Sequence, residues 1–153
     1  MGTKHQGNAS EVRALDAYIK LMRAADSVTS RVTKALSPHN LTVSQFGVLE
    51  ALLHLGELHQ NDLGQKLLKS SGNITLVVDN LEKRGLIERE RSKEDRRFVW
   101  VRLTKSGDAF IKKVFPEIVP VISDAMVVLS PFEIDKMAEY LKQVGYRCQD
   151  SNS

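Results

Sequence analysis

Half of the chain's positive charge, 11 of its 22 Lys and Arg, falls between Gln60 and Lys105, against 7 Asp and Glu. That stretch carries a net +4, and the remaining 11 basic and 12 acidic residues leave −1 elsewhere. Cations gathered this way are suited to phosphate, because neutralising a nucleic-acid backbone releases its condensed counterions. The densest part is SKEDRR, residues 92–97, which is too polar for a core. Other reactive side chains lead nowhere comparable. The single cysteine, Cys148, can form neither an internal disulfide nor a multi-cysteine zinc site. It reads as a bystander thiol; the functional alternative is an inter-subunit redox disulfide, with only Arg147 nearby to lower its pKa. His39, His54 and His59 have neither His-x-x-x-His spacing nor a carboxylate cluster, so no metal site is expected. With no glycine-rich phosphate loop, nucleophile motif or paired carboxylates, the chain does not read as an enzyme, and no cofactor is called for.

The elements that must position those cations follow from periodicity. Residues 62–67 give a short amphipathic helix with Leu63, Leu67 and Leu68 on its apolar side. Ser70, Ser71 and Gly72 break it. Ile74, Val77, Val78 and Leu81 then recur at three- and four-residue steps, one face of a second helix. Gly85 stops that helix, with Lys83 and Arg84 at its negative dipole end. Two strand-like runs, 86–91 and 98–104, flank the charged loop. The pattern is a helix-turn-helix followed by a basic two-stranded wing.

Around this unit the chain is helical. A stripe from Val12 through Leu15, Tyr18, Met22 and Val28 to Leu36 predicts a helix of about 25 residues, roughly 38 Å at 1.5 Å per residue. Thr42 and Gln45 form a capping-box pair ahead of Phe46, Leu49 and Leu52. After the wing, Phe110 to Leu129 gives an apolar stripe in which Pro116 and Pro120 predict a bend or restart. Pro131 starts a last helix, through Phe132, Met137 and Leu141, that Gly145 should stop. The terminal helices carry more apolar surface than one winged domain can cover, which predicts pairing with a second copy. The fold class is therefore mainly α with a small β-ribbon, a winged helix-turn-helix domain plus N- and C-terminal dimerisation helices. Residues 1–10 read as a flexible arm and 148–153 as a flexible tail. The single domain runs from 11 to 147, with dimerisation helices at 11–37 and 106–147 and the winged unit at 42–105. The apolar runs are too short for a membrane span and the first ten residues lack a signal-peptide core, so the expected compartment is the cytoplasm.

From about Val12 to Val144 the chain resembles the multiple-antibiotic-resistance regulator (MarR) family. The most specific part is EDRRFVWVRLTKSG at 94–107, supported by LTVSQFGVLEAL at 41–52, DLGQKLLKSSGNIT at 62–75 and VVDNLEKRGLIERER at 77–91. The resemblance implies a cytoplasmic homodimer that binds a pseudo-palindromic operator in double-stranded DNA and usually represses transcription. It implies a recognition helix over about 71–84 in the major groove and a wing in the adjacent minor groove. At the start of that helix Asn73 and Thr75 are candidates for base contacts: Asn pairs with adenine and the Thr methyl packs on thymine. Ser70, Ser71 and Gly72, at a helix start, suit phosphate contacts. In the wing, the family pattern makes Asp95 a brace for Arg97 and Arg97 the minor-groove reader. Arg96 and Lys93 are expected on phosphates, and Arg89 or Arg91 either joins them or is a solvated surface charge.

Two departures qualify the resemblance. Many relatives carry Arg where this chain has Leu76 and Asn80, so those contacts do not transfer. Peroxide-sensing relatives have a reactive cysteine early in the first helix, and this chain has none there. What remains is a small effector, often aromatic or phenolic, in the cleft between the dimer helices and the DNA-binding lobe. Tyr18, Met22, Phe46 and His54 are candidates for its lining, each with core packing as the alternative. The expected function is a homodimeric, sequence-specific repressor released by a small molecule. The reading from another class is a winged-helix module that binds protein instead of DNA.

Overall fold

Asn8 opens the first helix. Its side chain accepts from the Ser10 and Glu11 amides, and Glu11 reaches back to the Asn8 amide at 3.2 Å, a complete capping box. Helix α1 (Ala9–Leu36) thus begins three residues before its apolar stripe, taking in the last two residues of the expected flexible arm. In this computed structural model the described residues are 2–67, 69 and 71–150, with only the backbone described for Ser71, Gln149 and Asp150. A 3-10 turn, Ser37–His39, follows, and then α2 (Val43–Leu55), capped by Thr42 and Gln45 as the sequence predicts. Next come β1 (Leu58–His59), α3 (Gln60–Lys66), α4 (Ser71–Lys83), β2 (Ile87–Arg91), β3 (Val99–Leu103), α5 (Lys105–Met126) and α6 (Pro131–Asp150).

The sheet has three strands, not two. β1 pairs antiparallel with β3 through Leu58 opposite Val101 and His59 opposite Trp100, giving the order β1-β3-β2. Two residues make no periodic signal, so only the completed ladder reveals this strand.

The core is a single cluster. Leu36 of α1, Leu49 of α2, Leu63 of α3, Leu81 of α4, Ile87 and Val101 of the sheet, and Ile111 and Ile118 of α5 are all essentially sealed from solvent. From α1 only Val32 and Leu36 are fully buried. Leu15, Tyr18, Leu21 and Met22 stay exposed along its first half, as do Phe132, Tyr140, Leu141 and Val144 on α6. α6 leaves α5 at 99° and contributes no residue to that core.

Two expectations about the last helices need correction. α5 does not restart at its prolines: it runs as one helix through Pro116 and Pro120. Both prolines are exposed, so the carbonyls one turn back that lose a donor lie on the water-facing side. α6 passes Gly145 and continues to Asp150, beyond the expected stop and into the expected tail, since one interior glycine costs only about 1 kcal/mol. Among the described residues no single helix is long and apolar enough to cross a membrane.

Candidate nucleic-acid interface

The helix-turn-helix packs closely at Gly64. A Cβ built there would meet Ile74 Cγ2 at 3.4 Å and the Lys69 carbonyl oxygen at 3.5 Å, ordinary van der Waals distances, so α3 and α4 cross with room for about one more carbon. Ile74, Val77, Val78 and Leu81 pin the inner stripe of α4 into the core. That leaves Gly72, Asn73, Thr75 and Leu76 on its outward side, all exposed. Nothing lies within 4 Å of a Cβ built on Gly72. Ser70 lies outside the described residues, and Ser71 contributes only its backbone position at the first turn.

Two residues whose tertiary role the sequence does not show, Gln60 and Arg84, hold this helix in place. Gln60 Nε2 donates to Thr75 Oγ1 at 3.0 Å, tying the start of α3 to the first turns of α4. Arg84 donates to the Asn40 carbonyl at 2.7 Å and the His39 carbonyl at 3.2 Å, and its guanidinium sits 5.6 Å from the Phe110 ring centroid. It joins the end of α4 to the α1–α2 corner and to α5, a tertiary contact that its reading as a dipole-compensating charge did not reveal. Leu76 is 62% exposed on the outward face.

The wing splits its arginines by face. Arg89 points toward α4 and is held by Asp79 at 2.6 Å and Glu82 at 2.8 Å. The hydrogen bond from Arg89 holds the Glu82 carboxyl below the usual carboxylate range. Of the two roles considered for Arg89, phosphate ligand or solvated charge, the structure supports neither: it fastens β2 to α4. Arg102, on the opposite face, is bonded to Glu88 at 2.7 Å and Glu90 at 3.0 Å, and these bonds raise its pKa further.

At the tip, the Asp95 carboxylate accepts from the Arg97 amide at 3.0 Å and from Arg97 Nε at 3.0 and 3.1 Å. A further bond from the terminal Nη2 measures 2.6 Å. The Phe98 amide closes the turn on the Asp95 carbonyl at 3.0 Å. The Arg97 side chain is nonetheless 85% exposed, a guanidinium held in one orientation with its outer edge in solvent. These bonds from Arg97 push the Asp95 carboxyl down. Arg91, Lys93 and Arg96 are exposed nearby.

The C-terminal part of the wing motif has a mechanical meaning. Thr104 caps α5 by accepting from the Gly107 amide at 2.9 Å while its hydroxyl donates to the Gly85 carbonyl at 2.6 Å. A Cβ on Gly107 would fall 1.8 Å from the Leu86 carbonyl oxygen. Leu-Thr-x-x-Gly is therefore the joint at which α5 crosses the base of the wing.

The candidate effector lining is not brought together. Phe46 borders a cavity of about 390 Å³ bounded by Val28, Val32, Gly47, Leu67 and Ile122. Tyr18, Met22 and His54 do not line it. His54 packs edge-on against Phe115 at 4.8 Å, and Phe46 stacks on the other side of the same cluster at 6.2 Å. Tyr18 and Met22 lie on the exposed stripe of α1, whose fully buried residues, Val32 and Leu36, come only in its last turns.

The sequence pattern that defines the MarR family matches residues 39–97. The chain is 36% identical over 133 residues to the HTH-type transcriptional regulator MhqR of Bacillus subtilis, covering 87% of this chain and 92% of that protein. Its fold is similar to that of AbsC, a MarR family transcriptional regulator from Streptomyces coelicolor, with a TM-score of 0.81 at 20% identity over 95% of this chain and 99% of the other. It is likewise similar to NadR in complex with 4-hydroxyphenylacetate, with a TM-score of 0.74 at 21% identity over 95% and 96% of the two chains.

Proposed function

Because the chain belongs to the MarR family of winged helix-turn-helix transcriptional regulators, which are not enzymes, we propose that it acts as a homodimeric repressor of a pseudo-palindromic operator, released by a small aromatic effector. The observation that carries the DNA part is the division of labour on α4. Its apolar stripe is sealed in the core while Gly72, Asn73, Thr75 and Leu76 are presented outward. Asn73 pairs with an adenine edge, the methyls of Thr75 and Leu76 pack on thymine methyls, and the exposed backbone at Gly72 admits a phosphate. Arg97, oriented by Asp95, enters the minor groove, while Lys93 and Arg96 neutralise phosphates.

Homodimerisation is supported by the apolar residues of α1 and α6 that this protomer leaves uncovered, from Leu15 to Met22 and from Phe132 to Val144. Two copies held there place two recognition helices on one face of a duplex, about 10 base pairs or a multiple apart. A dimer bound over a promoter excludes polymerase, hence repression. The work is done where the DNA is, in the cytoplasm. For the effector, the support is the cavity bordered by Phe46 together with the fold likeness to a protein that holds 4-hydroxyphenylacetate. Leu67 and Lys69 at its edge lead directly into α4, so an occupant that displaces them displaces the recognition helix.

Selection of binding sites from random duplexes with the purified protein tests this reading. The expected product is a two-fold site with half-sites about one helical turn apart. Recovery of no duplex above background would overturn it in favour of a protein-binding winged helix.

A further inference from the structure

The outer face of the wing carries a second cavity, of about 590 Å³, far from Phe46 in sequence and bounded by different elements. Its wall is aromatic. The His59 ring lies over Trp100 with centroids 3.7 Å apart, and Phe98 closes on His59 at 5.0 Å. The charges at its rim are unequal in their commitments. Glu57 and Glu90 are drawn to Arg102 at 3.6 and 3.0 Å, and Asp95 is taken by Arg97. Arg91 and Lys93 also line the cavity, exposed and with side chains that make neither an ion pair nor a hydrogen bond among the described residues; Glu94 is the one lining acid in the same position. His59 Nδ1 is buried with no hydrogen-bond partner, so this ring is held in the wall by its aromatic contacts and not by a bond from that nitrogen.

An aromatic wall beside two uncommitted cations is complementary to a flat ring bearing a carboxylate. The volume suits such a molecule, since sites for small ligands run from about 300 to 1,000 Å³. The geometry points to a binding site for a small aromatic acid between β1 and the wing. The ring packs against Phe98 and Trp100, the carboxylate takes charge-assisted hydrogen bonds from Arg91 and Lys93, and Glu94 accepts from a ring hydroxyl. Resting on the reading of the wing as a DNA clamp, the same occupant withdraws those two cations from phosphate and weakens operator binding without entering the cavity beside Phe46.

Trp100 is the only tryptophan in the chain, so its fluorescence reports this site directly and without DNA. Titration of the intact protein with 4-hydroxyphenylacetate should quench or shift the emission saturably, and 4-hydroxyphenethyl alcohol, which lacks the carboxylate, should not. The double substitution Arg91→Ala with Lys93→Ala, at two exposed positions, should weaken the titration by about tenfold or more, the effect of losing charge-assisted hydrogen bonds. An unsaturable response, or an unchanged one in the double variant, would overturn the site. Operator affinity of the same variant, measured without the acid, separates the two readings. Loss of acid binding with unchanged DNA affinity leaves the site standing and removes Arg91 and Lys93 from the DNA interface.

Discussion

Substituting Gly107 by alanine probes the joint between the wing and α5. The new Cβ would lie 1.8 Å from the Leu86 oxygen, 2.7 Å from its carbonyl carbon and 3.1 Å from its Cα. Carbon and carbonyl oxygen tolerate about 3.3 Å at closest, so α5 and the base of the wing must separate by about 1.5 Å. The obstacle is backbone, which cannot rotate aside as a side chain would. That separation breaks the bonds from the Thr104 hydroxyl to Gly85 at 2.6 Å and from the Thr104 amide to Leu86 at 3.1 Å. Two such bonds are worth about 2 kcal/mol net, and the forced repacking of Ile111 and Val114 adds about 1–3 kcal/mol. Gain of helix propensity returns less than about 1 kcal/mol. The net loss is about 2–4 kcal/mol, a large share of a typical stability of about 5–15 kcal/mol. In urea, at fixed protein concentration and with a slope of about 2 kcal/mol/M, the midpoint should fall by about 1–2 M. Gly72→Ala is the control, since its Cβ meets nothing within 4 Å and its midpoint should hold or rise. A Gly107→Ala midpoint within about 0.3 M of the parent would refute the contact as a structural constraint.

Arg97→Ala should weaken operator binding about tenfold while leaving the urea midpoint unchanged, because Arg97 touches only the wing turn. Fluorescence anisotropy at several salt concentrations decides it, and undiminished affinity would remove Arg97 from the interface. Glu82 supplies a pH test. Arg89 holds its carboxyl below the ordinary 4.5, so the folded state favours the charged form. Its stabilisation is complete above about pH 4.5 and is lost as pH falls through the depressed value. Both partners are partly solvated, so the contribution is small. Glu82→Gln should make acid unfolding less steep, and superimposable acid profiles would show that the pair adds nothing.

Legibility in the sequence followed periodicity. Repeats of three and four residues located the six α-helices of the described residues, and Gly85, at φ 71°, ends the recognition helix where glycine punctuation predicts. The short strand β1 was invisible because two residues have no period. The continuation of α5 through two prolines could not be read either, since it depends on which side of the helix faces water. At the site, charge count located the wing but could not distinguish Arg89 and Arg102 from Arg97. All three are arginines in one ribbon. Arg89 is taken by acids on α4 and Arg102 by acids on the neighbouring strand, whereas Arg97, braced by Asp95, turns its outer edge to solvent.

By itself the sequence determined the unit: a helix-turn-helix with a basic wing, flanked by helices with apolar stripes. Those conclusions rest on local repeats and composition, which survive without knowledge of any long-range contact. Tertiary structure alone decided which charges are spent and which are available, and which aromatic residues wall a cavity. Arg89 is fastened to Asp79 and Glu82, Arg84 to the carbonyls of residues 39 and 40, and His59 to Trp100. The physical reason is that a hydrogen bond or ring contact depends on positions in space set by the packing of distant elements. In Arg84 the partners are 44 and 45 residues away, a separation no local pattern encodes.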